Sequence, residues 1–295
     1  MDQLFFPPER SAGLVLADGT TWGIFAGEEM ASTIVSHLAK AMQLRPHDAP
    51  TYRLFAIANG DGAYTVGAHT NFEHAVTIPW RLVPSGDEYT FTCIVPPVRD
   101  NDILATQLMQ LSLVIAQQAQ IRGGVLLHGA LAERDGWGVI LSGPGGGGKT
   151  TASRRFPEPW RSLCDDATLV VRDKQGAYWA HPWPTWSAFM SGGTGGTWDV
   201  NHAVPLKAVF FLQQALQNRI NPIGRGHSVS LLVELTEHTS WSMSYSQGED
   251  VTRALRLQRF ENICTLVKTV PCHHLHLSLD GAFWEEIELL IKETS

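Results

Sequence analysis

The fold of the second half of this chain is indicated by one stretch, Gly143-Pro144-Gly145-Gly146-Gly147-Gly148-Lys149-Thr150. This stretch meets the pattern Gly-x-x-x-x-Gly-Lys-Ser/Thr in full, and a phosphate-binding loop of this kind needs a strand before it and a helix after it. Residues 137–141 form an apolar strand candidate, and a short helix is predicted from Lys149. The order strand, loop, helix is typical of an α/β fold.

The loop also predicts a ligand. Successive glycines allow positive φ angles and let backbone N–H groups come close to phosphate oxygens, and the N-terminus of the next helix adds to this anion site. Lys149 is expected to contact the β- and γ-phosphates, and the Thr150 hydroxyl to ligate Mg²⁺. The predicted cofactors are therefore Mg²⁺ and ATP, or another nucleoside triphosphate. The residues predicted to bind the nucleotide are Gly143, Pro144, Gly145, Gly146, Gly147, Gly148, Lys149, Thr150 and Thr151.

The alternative interpretation of this stretch is a flexible glycine linker that happens to precede Lys-Thr. Chance matches to the pattern occur, but they rarely follow an apolar strand and precede a helix. The sequence therefore favours the phosphate site.

A pair of aspartates follows the loop. Asp165-Asp166 stands directly before the apolar run 167–171. A kinase needs one carboxylate for the metal and one that receives the proton of the acceptor hydroxyl. Adjacent carboxylates repel each other, and a divalent cation would relieve that repulsion. The residues alone leave open which aspartate has which role, and a turn or capping pair is the structural alternative.

These segments together resemble a known family. Leu127-His128-Gly129, the glycine-rich loop and Ser162-Leu163-Cys164-Asp165-Asp166 are similar to the catalytic domain of HPr kinase/phosphorylase. Phosphoenolpyruvate carboxykinases are more distant relatives of the same structural class. The chain also resembles HPr-kinase-like proteins of peptide natural-product cassettes, including the SynChlorMet type and the lasso-peptide kinases. The resemblance implies a P-loop domain with a mixed β-sheet flanked by helices.

The resemblance implies roles for single residues. Asp165 would be the general base toward a serine or threonine hydroxyl, and Asp166 would hold Mg²⁺ together with Thr150. Lys149 and His128 complete the expected catalytic set, with His128 near the phosphates. The acceptor would be a peptide or protein with a serine or threonine hydroxyl.

The sequence also departs from the family. The glycine-rich signature that follows further along the bacterial enzyme is absent, and Thr151-Ala152 stands where that enzyme has a glutamate. HPr is therefore a poor candidate for the acceptor, and phosphorylase activity is not expected.

Two other functions stay open. The relationship to carboxykinases allows a kinase for a small metabolite, and a nucleotide-dependent module that binds a peptide without catalysis is the third hypothesis. A complete set of Lys149, Thr150 and the aspartate pair favours catalysis.

The first hundred residues predict a small α+β module without a chemical motif. Strand candidates at 13–16 and 22–25 flank the turn Asp18-Gly19, a helical stripe runs from Met30 to Met42, and further strands are predicted at 52–58 and 88–95. We expect the module over 1–100, a connecting helix over 101–122 and the catalytic domain over 123–295. Because the module has no chemical motif, the hypothesis for its role is recognition of a substrate or leader segment.

Composition restricts the partners. A net charge of −7 and a pI near 5.9 argue against nucleic acid or an anionic membrane as a partner. Four cysteines lie far apart, and no signal peptide or long apolar run is visible, so a cytoplasmic protein is expected. The oligomeric state is open, and a homo-oligomer is allowed.

Several weaker features carry two interpretations each. Residues 181–187 are rich in tryptophan and proline, and they either line a pocket or pack beneath a loop. The glycines of 191–197 form either a lid over the site or an ordinary loop. Arg225, in the flexible setting Gly224-Arg225-Gly226, could stabilise transferring phosphate or be a surface arginine. The same choice applies to Arg154 and Arg155.

The end of the chain is predicted to hold a strand and two helices. Residues 272–276 contain three histidines that suggest a metal, although a half-exposed strand explains their alternation with leucines more simply. The predicted core residues of the helices are Val251, Leu255 and Leu266 in one and Phe283, Trp284 and Ile287 in the other. The predicted N-caps are Asp250 and Asp280, and Asp102 for the connecting helix.

Overall fold

A computed structural model describes residues 12–27, 29–47, 50–58, 65–69, 72–77, 81–84, 87, 89–95, 101–143, 147–186, 196–244 and 249–294. The chain divides into two compact units, Met1–Ile115 with Pro184–Asn201 and Ala116–Trp183 with His202–Ser295. Helices and mixed sheets are both present, which confirms the predicted α/β class. The boundaries drawn from the sequence at residues 100 and 122 stay a prediction.

The first unit combines strands with two helices. Its elements are β1 (Ala12–Val15), β2 (Thr21–Ala26), α1 (Glu29–Ala41), β3 (Tyr52–Ala58), β4 (Thr65–His69), β5 (Phe72–Thr77), β6 (Arg81–Pro84), β7 (Thr90–Val95) and α2 (Asn101–Ile121), the end of which belongs to the second unit.

Five of these strands form one sheet in the order β1-β2-β3-β7-β6, and β4 pairs with β5. The hairpin predicted around Asp18-Gly19 is confirmed, because β1 and β2 pair antiparallel and Gly19 has a φ of 87°. The apolar stripe of α1 is confirmed as well, since Ile34, Val35 and Leu38 are buried. These side chains lie on the helix face toward β2 and β3.

The segment that returns to the first unit is fastened at the end of α1. The Trp198 N–H donates to the Ala41 carbonyl at 2.7 Å, and Arg45 pairs with Asp199 at 2.9 Å. Residues 191–195, which hold most of the predicted lid, lie outside the described residues. The described end of that glycine segment therefore has a structural role.

The second unit carries the glycine-rich stretch. Its elements are β8 (Val125–Arg134), β9 (Trp137–Ser142), α3 (Lys149–Arg154), β10 (Arg161–Cys164), β11 (Ala167–Arg172), β12 (Tyr178–Trp183), β13 (Val204–Gln214), β14 (Arg219–Pro222), α4 (Arg225–Ser244), α5 (Glu249–Thr269), β15 (Cys272–Leu277) and α6 (Phe283–Thr294).

Strand β8 changes its partner along its length. Its first half pairs antiparallel with β11, which places His128 opposite Ala167, and its second half pairs antiparallel with β9. β9 and β15 run parallel to β13, so the sheet is mixed. The pairings close a circuit from β8 through β11, β12, β13 and β9 back to β8. The end of β9 and the start of β11 are thereby both held against the middle of β8.

The β8–β9 hairpin has the turn predicted at Arg134-Asp135-Gly136. Asp135 and Gly136 have φ angles of 50° and 80°, the left-handed pair that a two-residue hairpin loop requires. One face of the sheet packs on α3 and α6. The buried apolar residues of this core are Ala130, Ala132, Val139, Leu141, Ala152, Trp160, Ala208, Phe210, Leu212, Leu275, Leu277, Phe283, Ile287 and Ile291.

Some local predictions are wrong. Arg225 does not sit in a flexible loop, because it is the first residue of the 20-residue helix α4. Asp102 and Asp250 lie inside the first turns of α2 and α5 rather than at the N-caps. Val251, predicted as core, is exposed, because the buried face of α5 is made by residues nearer its C-terminus.

Candidate functional site

The glycine-rich stretch leaves the sheet where β9 ends and returns as α3. Ser142 ends β9, and the helix predicted from Lys149 begins at that residue. Gly148 precedes it with a φ of 90°, a conformation that favours glycine, and the space where a Cβ would stand is open. Pro144, Gly145 and Gly146 lie outside the described residues. The described ends of the stretch therefore have the strand–loop–helix order that its motif requires.

Lys149 is buried at the start of α3. Its Nζ donates a hydrogen bond to the Gly143 carbonyl at 2.9 Å, so the side chain spans the two ends of the glycine-rich stretch. Burial lowers the pKa of Lys149, and the negative charge of Asp166 opposes that shift. The cation is thus held beside the stretch with an acidic group close by.

Asp166 meets His128 across the β8–β11 pair. Their Nδ1 and Oδ1 atoms are 3.4 Å apart, and the Gly129 N–H donates to the Asp166 carbonyl at 2.8 Å. Burial raises the pKa of the Asp166 carboxyl; the charges of His128 and Lys149 oppose this rise, and that of Asp165 adds to it. Four of the predicted site residues thus interact, although His128 lies far from the other three in the sequence.

Three polar residues that the sequence did not single out fix this arrangement. The Ser142 hydroxyl donates to the His128 carbonyl at 2.5 Å, and the Thr168 hydroxyl donates to the Gly129 carbonyl at 2.9 Å. The Cys164 thiol donates to the Ala167 carbonyl at 2.9 Å. Ser142 and Thr168 are polar residues in apolar strands next to the motifs, which is the signal that could have identified them.

Three other predicted residues are more exposed than Lys149. Asp165 and Thr150 are half-buried, and Thr151 is exposed. The Thr150 carbonyl accepts a hydrogen bond from the Ser153 hydroxyl at 3.1 Å, which leaves the side chain of Thr150 out of that contact. Their predicted roles stay predictions.

The weaker candidates mostly have structural roles. Arg155 donates to the carbonyls of Ser278 and Gly281 and stacks over Phe283, so it joins α3 to the start of α6. Arg154 is exposed. His181 and Trp183 are buried in β12, an interior strand, which supports the packing interpretation of that segment.

The histidines near the end of the chain lie on β15, between β13 and β14. The rings of His274 and His276 are neighbours at 6.5 Å, and His227 lies 5.5 Å from His274. Among the described residues, no group of three or more His, Cys, Asp or Glu side chains is arranged to hold a metal ion. These histidines lie on a strand in which buried and half-buried residues alternate from His273 to Leu277, as the strand interpretation predicted. No helix in the described ranges has the length and apolar character to cross a membrane.

The fold and this cluster define an α/β protein in which a glycine-rich stretch, a buried lysine and a histidine–aspartate pair converge on one end of β9. A family model described as SynChlorMet cassette protein ScmC matches residues 91–292, more than half of the chain. The chain belongs to this ScmC family. A comparison with curated proteins found no match.

Proposed function

We propose that this protein is an HPr-kinase-like, ATP- and Mg²⁺-dependent kinase that acts in the modification of a peptide natural product. Its acceptor is a serine or threonine hydroxyl of a peptide or protein. One observation carries the proposal: Lys149 and the His128–Asp166 pair meet at the end of the strand from which the glycine-rich stretch emerges.

The chemistry of the side chains fits the two cofactors. Thr150 and Asp166 offer hydroxyl and carboxylate oxygens, the hard donors that Mg²⁺ takes in small number while phosphates and water supply the rest. Gly148 leaves open space beside α3 where a side chain would obstruct phosphate. When bound, ATP supplies the γ-phosphoryl group and Mg²⁺ offsets its negative charge.

Each residue of the site has a separate role in phosphoryl transfer. Lys149 is already fixed by Gly143 and needs little reorganisation to stabilise charge on the phosphate oxygens. His128 contacts Asp166 and so positions a carboxylate that acts on the metal. Asp165 is the neighbouring carboxylate without that histidine contact, and it takes the proton of the acceptor hydroxyl.

The decisive variant is Asp165→Asn. It should lower phosphoryl transfer by at least about 100-fold, because the acceptor loses its base, and change nucleotide affinity by less than about threefold. Transfer is measured with γ-labelled ATP, Mg²⁺ and synthetic serine- and threonine-containing peptides, and affinity by titration calorimetry. Asp135→Asn is the matched control, because Asp135 is an exposed aspartate in a turn that also suits asparagine.

The outcomes separate the competing functions. Labelling of small hydroxyl compounds but not of peptides would identify a metabolite kinase. Nucleotide binding that alters peptide affinity without any labelling, in wild type and variant alike, would identify a binding module. Loss of nucleotide binding in Asp165→Asn would show that the roles of the two aspartates are assigned wrongly.

A further inference from the structure

Helix α5 has an unusual distribution of side chains. Its inward face includes the buried polar residues Arg259 and Asn262, whereas Leu257 and Phe260 on the outward face are 58% and 47% exposed. Ile263, Leu266 and Val267 are also buried on the inward face, so Leu257 and Phe260 are apolar residues outside the stripe that a surface helix normally turns to the core.

The inward polar residues are explained by the fold. The Asn262 amide donates to the carbonyls of Gln120 and Gly124 at 2.7 and 2.9 Å, and so holds α5 against the end of α2. Arg259 donates to the Thr236 carbonyl of α4 at 3.5 Å. Leu257 and Phe260 on the outward face have no comparable partner in the part of the chain that the structure describes, and they are open to contact with another surface.

The outward residues have the spacing of a coiled-coil seam. Leu257, Phe260 and Cys264 stand at i, i+3 and i+7, the a, d and a positions of a heptad. In this register Arg256 takes position g and Glu261 takes position e, and both are exposed. In a parallel helix pair, the g residue of one helix faces the e residue five positions later on the other.

The charges make this face complementary to itself. In a parallel pair of two α5 helices, Arg256 of one copy meets Glu261 of the partner subunit, and the two-fold axis repeats the contact on the other side. Exposed Ile121, at the end of α2 beside Gln120, enlarges the apolar surface next to α5. A second copy of this chain therefore satisfies both the apolar seam and the flanking charges.

We propose that two copies of this chain associate through α5, in parallel and about a two-fold axis, with Leu257, Phe260 and Cys264 stacked on their counterparts. The seam runs from Leu257 to Cys264, little more than one heptad, so the dimer is a modest one that dissociates on dilution.

The seam is tested by sedimentation velocity over a range of concentrations. Leu257→Glu should raise the dimer dissociation constant by at least about 30-fold, because it places two like charges in the centre of the contact. Leu289→Glu is the matched control, a leucine 57% exposed on α6, and should leave the constant unchanged. A wild-type protein that stays monomeric throughout, or a dimer insensitive to Leu257→Glu, contradicts the proposal.

A charge exchange tests whether the partner is a second copy. Arg256→Glu and Glu261→Arg should each weaken the dimer, because each puts like charges together, and the double variant should restore it. Both residues are exposed, so the variants are expected to fold normally. Failure of the double variant to recover dimerisation contradicts the pairing of Arg256 with Glu261.

Cys264 tests the orientation. It is the one cysteine of the chain that is not fully buried, and in the parallel pair it faces its own counterpart. Oxidation with copper phenanthroline should give a covalent dimer that Cys264→Ser abolishes. An antiparallel pair separates the two thiols, so the absence of this cross-link in a protein that does dimerise contradicts the parallel arrangement.

Discussion

Strand β8 contributes to two clusters of the same composition, each with one carboxylate, one histidine and one basic side chain. In the first cluster the distances are long, and in the second they are short. The members are His128, Asp166 and Lys149 in the first, which we call the open cluster, and Glu133, Arg161 and His202 in the second, which we call the closed cluster.

In the closed cluster one carboxylate oxygen, Oε2 of Glu133, bonds both partners at short distance. Glu133 accepts hydrogen bonds from Arg161 at 2.7 Å and from His202 at 2.8 Å, and only 6% of its side chain is exposed. Buried carboxylates with short bonds to both partners fix neighbouring elements in place. The closed cluster holds together β8, β10 and the segment before β13 that contains His202.

In the open cluster the carboxylate is more exposed, and its contact with the histidine is longer. Asp166 is 39% exposed, its histidine is 3.4 Å away, and the amine of Lys149 bonds the Gly143 carbonyl instead. Burial raises the pKa of Asp166, although the charges of His128 and Lys149 oppose this rise. The same three chemical types therefore give a structural contact in one place and, under the proposed function, the site of a cation and phosphate in the other.

The largest difference between the clusters is expected on removal of the basic member. Lys149→Ala should weaken nucleotide binding by about 100-fold, because a buried cation next to the phosphates is lost. Arg161→Ala, the equivalent change in the closed cluster, should leave binding unchanged, since the side chain of Arg161 bonds Glu133 of the structural cluster. Titration calorimetry with ATP and Mg²⁺ measures both; equal losses would remove the distinction between the clusters.

A smaller effect, on folding stability rather than on nucleotide binding, is expected for a change in the closed cluster. Glu133→Gln should lower the free energy of unfolding by about 1–2 kcal/mol, because an uncharged amide oxygen binds Arg161 and His202 more weakly than a carboxylate does, and leave nucleotide affinity unaltered. Urea unfolding measures the first and calorimetry the second. Glu234→Gln, at an exposed position on α4, serves as the control. A stability equal to that of the wild type would mean that the short bonds of Glu133 contribute nothing net.

The smallest expected effect is the pH dependence of the open cluster without ligands. Because the pKa of Asp166 is raised above its unfolded value of 3.8, the folded state binds more protons between those two values. Its contribution to stability therefore falls as pH rises from 3.8 through the raised pKa. Asp166→Asn lacks this loss. The Tm of the variant minus the Tm of the wild type should therefore increase as the pH rises from about 4 to 7. A gap in Tm that narrows over this range would contradict the raised pKa.

Much of the fold could be predicted because its signals are local. The stripe Ile34, Val35 and Leu38 specified α1, and Asp135-Gly136 specified the hairpin that leads into β9. In both cases, periodicity or turn chemistry within a few residues decides the structure. Helix α5 shows where this reasoning ends: Leu266 is buried as predicted, but Val251 is exposed, and the polar residues Arg259 and Asn262 are buried beside Leu266.

By itself, the sequence determined the elements and the chemistry that they carry: the strand–loop–helix order around Lys149, the adjacent aspartates before β11 and the histidine on β8. The tertiary structure alone decided that Asp166 meets His128, that Arg155 bonds the carbonyls of Ser278 and Gly281, and that Glu133 bonds Arg161 and His202. These contacts follow from strand register and packing between distant segments. A shift of one residue in the β8–β11 pairing would turn every side chain to the other face, and no local pattern fixes that register.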